Sequence, residues 1–312
     1  MTKLSIFRYY LILQLVLVSA TLFSQQVPVY TMQDLIKPSI NPAYIGLDEI
    51  YDMVLLTRQQ WVGFEGAPRS FYLGTNVPLR NRKTGLGFDI QHNSVGPLSQ
   101  NGAFIGYSYK VNISDRSTIS FGLRGGINLY RIGLRDLLVI DPGDYLFETD
   151  VENRVLPNFG TGVHYKINNY YIDFSIPMLL SNDLNPKGME NTREENREVR
   201  NYIFQAGSEY KLTQGFYLSP SLGLWLAKDV PPLIDIRLSA NFKDVARVGI
   251  AYRVEGSLSF QFTYKILGNF LLGYAYELPL SYNYQLSSGT HEIVIAFNFQ
   301  LIKKKTLSPR RY

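Results

Sequence analysis

Cysteine is absent from the 312 residues. No disulfide, thiolate nucleophile or cysteine-linked lipid is therefore available to this chain. Histidine is almost absent: His92, His164 and His291 are too few and too scattered to suggest a metal site. Charge is scarce as well, at 18% Asp, Glu, Lys and Arg, against roughly 25% in an ordinary soluble protein. The net charge is +5, and Lys303, Lys304, Lys305, Arg310 and Arg311 crowd into the final ten residues. A broad basic face cannot be built from what remains, so nucleic acid is not an expected partner. Beyond Ser24 no apolar run approaches the roughly 20 residues of a transmembrane helix. Nucleophile elbows, phosphate-binding glycine loops and metal-ligand spacings are missing too. The sequence thus predicts neither an enzyme nor a cofactor protein.

What is abundant is aromatic: 14% of the chain, with 23 Tyr and 18 Phe, at 46% hydrophobic overall. A chain that is aromatic-rich and poor in charge suits a β protein with one apolar and one polar face.

The first 24 residues have the order of a secretory signal. Lys3 and Arg8 come first, Leu11 to Val18 form a short apolar core, and small residues follow at Ser19, Ala20 and Ser24. Cleavage after Ala20 or Ser24 is expected, with Ser24 favoured.

From Met53 onward the sequence alternates with period two. In one run Leu258, Phe260, Phe262, Tyr264 and Ile266 share a face, while Ser257, Ser259, Gln261, Thr263 and Lys265 share the other. In another, Ile293, Ile295, Phe297 and Phe299 oppose Glu292, Val294, Ala296, Asn298 and Gln300. Such alternation is the pattern of a strand with one buried face. About fourteen such strands can be placed, most near the roughly 9–11 residues a tilted strand needs to cross a bilayer. The connections sort by length. Every second one is short, as at Arg80–Lys83, Asn168-Asn169 and Lys243-Asp244; the alternate ones hold the long stretches 131–157, 177–199 and 279–289. Short turns on one side and long loops on the other predict an all-β transmembrane outer-membrane β-barrel of about 14 antiparallel strands. A soluble sandwich has no reason to sort its loops, and a small soluble barrel needs fewer strands. Tyr107, Tyr109, Tyr210, Tyr252 and Tyr276 fall near strand ends, as an interfacial girdle requires.

The expected organisation is a signal peptide at 1–24, an N-terminal periplasmic or plug segment at 25–52, a barrel at 53–302 and a basic tail at 303–312. An even strand count puts both barrel termini on the periplasmic side. Asn41-Pro42 would then lie in the periplasm or plug the barrel from below, with residues 61–69 as the first surface loop or folded inward.

Three polar clusters invite a chemical reading. His291 and Glu292 are adjacent in a strand, so they point to opposite faces and cannot share one site. Asp141-Pro142-Gly143-Asp144, with Glu148, Asp150 and Glu152, is acidic but lacks the full spacing of a calcium loop,. Arg193 to Glu198, with Arg200, is a mixed-charge run expected to be a solvated loop.

One stretch stands apart from the repetition. Ser39-Ile40-Asn41-Pro42-Ala43-Tyr44-Ile45-Gly46 is turn chemistry, because the residue before a proline is driven out of the helical region,. Arg58-Gln59-Gln60-Trp61-Val62-Gly63-Phe64-Glu65-Gly66-Ala67-Pro68 follows, and Gly289-Thr290-His291-Glu292-Ile293 opens the last strand. Together these resemble the PorP/SprF family of the type IX secretion system of Bacteroidetes. The resemblance implies an integral outer-membrane barrel that assists secretion or surface anchoring of proteins bearing a type IX C-terminal signal, including adhesins used in gliding. The partners it implies are outer-membrane lipids, the secretion machinery and that secreted surface protein. It assigns no catalytic residue. Asn41, Pro42, Ala43, Tyr44, Gly46, Gln60, Trp61, Gly63, Phe64, Gly66, Pro68, His291 and Glu292 carry over as structural or partner-contact positions. A lumen lined by Ser, Thr, Gln, Lys and Glu also admits a second reading, a passive pore or transporter for small molecules.

Overall fold

The computed structural model describes residues 29–48, 50–133, 151–184, 197–254, 256–280 and 287–299. The signal segment, the basic tail, residues Asp141 to Asp150 and residues Arg193 to Asn196 lie outside these.

Fifteen strand segments follow one another: β1 (Tyr51–Gln59), β2 (Arg69–Pro78), β3 (Thr84–Val95), β4 (Leu98–Ser114), β5 (Ser117–Ile132), β6 (Val151–Ile167), β7 (Tyr170–Ile176), β8 (Asn201–Ser208), β9 (Tyr210–Thr213), β10 (Phe216–Ala227), β11 (Val230–Phe242), β12 (Ala246–Arg253), β13 (Ser257–Leu267), β14 (Phe270–Pro279) and β15 (Thr290–Phe299). β8 and β9 both pair with β10 and are two halves of one strand, interrupted at Glu209. Every neighbour is antiparallel, and β15 pairs with β1 over nine residues, from Tyr51↔Phe299 to Gln59↔His291. That pairing closes a fourteen-strand barrel without an edge, so every strand has partners on both sides and no ladder faces lipid unpaired.

The alternation seen in the sequence is the inside–outside alternation of the wall. Phe260, Phe262, Tyr264, Ile266, Ile293 and Ile295 all point outward and are 46–53% exposed. Their neighbours Ser257, Ser259, Thr263, Glu292 and Val294 are buried against the interior. Outward apolar residues suit lipid, because acyl chains replace the water they would otherwise face.

The connections alternate as expected. β2–β3, β4–β5, β6–β7, β9–β10, β11–β12 and β13–β14 join at one end, here the turn end, through at most five residues. Lys243 and Asp244 both have positive φ (50° and 55°), the signature of a tight type I′ hairpin. All the long loops leave from the opposite end, the loop end. Three connections there are also short, at Gly96-Pro97, Lys228-Asp229 and residues 254–256.

Candidate functional site

Ahead of β1 the chain makes three short turns: a 3-10 turn η1 (Gln33–Leu35), one turn of helix α1 (Lys37–Ile40) and a second 3-10 turn η2 (Pro42–Tyr44). None is long enough to be stable alone. They hold because residues 29–48 lie inside the barrel, bonded to the inward side chains of the wall. The segment enters at the loop end, where Val29 lies beside Trp225, Ala227, Val230 and Leu233 at the β10–β11 hairpin. It leaves at the turn end, where Gly46 lies against Pro78 and Gly85, and β1 begins.

Near the loop end the wall grips the segment's backbone with charge. Glu292 accepts from the amides of Thr31 (2.7 Å) and Met32 (2.9 Å). Arg237 donates to the carbonyls of Thr31 (2.6 Å) and Tyr30 (3.1 Å). The Thr31 hydroxyl donates to Glu277 at 3.1 Å. Behind these contacts the charges pair with each other: Arg58 with Glu292 and with Glu277 (3.2 Å), Arg253 with Glu277 (3.0 Å), and Arg237 with Asp235 (2.7 Å). Three arginines thus face three carboxylates, all inside the wall. Ions removed from water are tolerable only when paired and hydrogen-bonded in this manner.

Beside the charges lies an apolar patch unusual for a lumen. Met32 and Ile36 are 1% and 0% exposed, packed with Val54, Leu56, Tyr72, Ala275, Val294 and Ala296 of the wall. Burying two such side chains contributes about 3–6 kcal/mol.

Toward the turn end the grip is different. Asn41 caps η2, its side chain accepting from the Ala43 amide at 3.0 Å, with Pro42 in the first turn where a missing N–H does no harm,. The Asn41 amide also donates to the Val163 carbonyl at 3.1 Å. Ser120 donates to the Ala43 carbonyl (2.8 Å), and Ser108 to the Ile45 carbonyl. Tyr44 donates to Asp173 (2.8 Å), whose other oxygen bonds His164 at 2.6 Å. Gly122 and Gly162 let Asn41-Pro42 lie directly on the sheet: a Cβ on Gly122 would run into the Pro42-Ala43 backbone, and one on Gly162 into the Asn41 side chain and the Pro42 ring. Gly46 has φ +63°, and a Cβ there would meet Gly85 Cα at 2.8 Å; both facts require glycine. Between the two halves, Arg124 donates to the Ser39 carbonyl at 2.6 Å and pairs with Asp89 at 2.9 Å.

The loop-end motif residues form a separate group. Gln60 bonds back to Pro68 (2.9 Å), and Val62 exchanges backbone bonds with Gly289 (2.9 Å) and Ser288 (2.8 Å). The Arg58–Pro68 and Gly289–Ile293 motifs are therefore one local structure. Trp61 takes φ +47°, rare for a bulky residue, while Gly63 and Gly66 take +104° and +70°,. Gly63, Phe64 and Gly66 are exposed. His291 and Glu292 diverge as strand geometry demands. Glu292 joins the internal clamp, whereas His291 points outward and bonds the Tyr274 hydroxyl at 2.7 Å. Asn41, Pro42, Ala43, Tyr44 and Gly46 lie inside the barrel toward the turn end, apart from this group.

One expectation needs correction. Glu198, taken as part of a solvated charge run, is 5% exposed. Asn128 (3.0 Å), Tyr130 (2.7 Å), Asn158 (2.8 Å) and Asn182 (2.5 Å) all donate to its carboxylate. Neutral donors from β5, β6 and the connection after β7 satisfy the anion, so a sequence window showing only neighbouring charges could not reveal them.

The residues sequence reasoning passed over are Arg58, Asp235, Arg237, Arg253 and Glu277. Each is a charge on the inward parity of its strand, but which of them pair is set by the register between strands.

Comparison with known proteins places this geometry. Among solved structures, the chain resembles the outer membrane protein Omp33 of Acinetobacter baumannii, with 8% identity, 81% of this chain and 99% of that one covered, and a TM-score of 0.48. It also resembles the CymD monoaromatic hydrocarbon channel, with 10% identity, 80% and 86% covered, and a TM-score of 0.50. At such identity the likeness concerns the barrel fold alone. No curated protein matches the sequence. The model of the type IX secretion system membrane protein family PorP/SprF matches residues 22–297. A closed outer-membrane barrel carrying that family's pattern over nearly its whole length belongs to the PorP/SprF family.

Proposed function

We propose that this barrel serves type IX secretion as a filled scaffold. In this reading it assists secretion, or anchors a secreted surface protein such as a gliding adhesin at the cell surface, and it neither conducts small molecules nor catalyses a reaction. The observation that carries the reading is the segment 29–48, held across the lumen by the Arg58–Glu277–Glu292 and Arg237–Asp235 network. A passive pore needs a continuous aqueous path, which a clamped, partly apolar filling works against.

The partner-facing surface in this reading is the loop end: the Trp61–Pro68 turn with exposed Phe64, and the long connections within 131–157 and 177–199. Long exposed loops on a rigid scaffold are where recognition concentrates. The remaining motif residues, Asn41 to Gly46, then act as a structural seal inside the wall. Gene deletion followed by fractionation tests the reading. It predicts that at least one protein with a type IX C-terminal signal is lost from the surface or retained in the cell. Normal secretion and attachment of every such protein would sink it.

A further inference from the structure

The outside of the barrel is not alike all the way round. On β8, β10, β12 and β14 the outward positions nearest the loops remain apolar or aromatic, with Tyr202, Leu226, Tyr252 and Leu278. From β15 through β1 to β5 the corresponding row is polar. His291 pairs with Gln59, Gln59 with Arg69, Arg69 with Ser94, Ser94 with Ser99, and Ser99 with Arg131. Directly paired residues of antiparallel strands present their side chains on the same face. The six therefore form one continuous row, about 24 Å long at the usual strand spacing. Gln59, Arg69 and Arg131 are exposed. No carboxylate interrupts the row among the described residues. The His291 ring is fixed by Tyr274, and His92, one step below, is fixed by Asn101 at 2.8 Å. Nearer mid-barrel the same strands present Ile295, Leu55, Leu73, Ile90 and Ile127 outward.

We propose that this row binds the phosphorylated headgroup of a glycolipid in the outer leaflet. Below the row and the His92–Asn101 pair the surface nearer mid-barrel is apolar and suits acyl chains, so the row sits where an amphiphile changes from chain to headgroup. Arg69 and Arg131 supply permanent positive charge in the planar, multi-donor form that matches phosphate. Gln59, Ser94, Ser99 and His291 supply hydrogen-bonding groups for phosphate or sugar oxygens. A ligand rich in negative charge and acceptor oxygens, with acyl chains below, is the complement of such a strip.

The test uses the full-length barrel in detergent, titrated with bis-phosphorylated lipid A, the same lipid dephosphorylated, and inorganic phosphate, with bound lipid read by native mass spectrometry. The proposal predicts binding of the phosphorylated lipid. It also predicts a loss of about ten-fold or more in Arg69→Gln/Arg131→Gln, since both charge-assisted contacts to phosphate are removed. The dephosphorylated lipid should bind at least as weakly to the wild type, and free phosphate should not compete at equimolar concentration. Lys228→Gln, on the apolar-sided half of the rim, should change nothing, and unchanged heat-modifiable gel mobility shows that each variant folds. Equal binding of both lipids, equal binding by the double variant, or displacement by equimolar phosphate would overturn it. So would an absence of lipid binding accompanied by arginine-dependent capture of a secreted protein.

Discussion

The two halves of the lumenal segment are held by opposite means. Around Tyr30 to Ile36 the segment offers mostly backbone groups and apolar side chains. Its polar contributions are the Thr31 hydroxyl on Glu277 and Asp34, paired to Arg247 at 2.5 Å. The wall supplies most of the charge: Arg58, Arg237, Glu277 and Glu292. From Asn41 to Gly46 the segment supplies the chemistry, and the wall steps back. Gly122 and Gly162 make room, while Ser108, Ser120 and Val163 offer single neutral bonds. The comparison separates stability from recognisability. A grip made by the wall can hold any backbone and leaves no local motif. A grip made by the segment itself needs an asparagine cap, a proline and a positive-φ glycine in fixed order, and so it appears as Asn-Pro-Ala-Tyr followed by glycine.

Breaking the charged half should have the largest effect. Glu292→Ala leaves Arg58 short of a partner and two buried amides without an acceptor, and should destabilise the barrel by about 3–5 kcal/mol in urea unfolding from lipid vesicles. Gly122→Val should come next. Its side chain collides with the Pro42 backbone, and overpacking of this kind costs about 1–3 kcal/mol; limited proteolysis should then cut within residues 29–48. Asn41→Ala removes a cap and one wall contact, for about 0.5–2 kcal/mol. Tyr44→Phe removes one hydrogen bond to Asp173 and should be smallest, about 0.5–1.5 kcal/mol. If Tyr44→Phe proved as damaging as Glu292→Ala, the contrast between the halves would fail.

Legibility followed the same divide. Period-two alternation gave all fourteen strands, because outward and inward positions face solvents as unlike as lipid and a polar interior. The sorting of connection lengths separated the turn end from the loop end. Positions of Asn41, Gly46, Trp61 and Glu292 stood out as local patterns. Arg58, Arg237 and Glu277 did not, because their meaning depends on register. Only closure of β15 on β1 brings Arg58 opposite Glu292, across more than two hundred residues of chain, and no window of sequence contains that pairing. Glu198 escaped for the same reason, with its donors scattered over β5, β6 and the loop after β7.

Conductance tests the central claim most directly. The purified barrel is reconstituted in a planar bilayer beside a variant lacking residues 29–48, both verified as folded by gel mobility. The filled-lumen account predicts no sustained ion current from the wild type and discrete open-channel steps from the deletion variant. Porin-like current from the wild type, unchanged by removal of the segment, would contradict it.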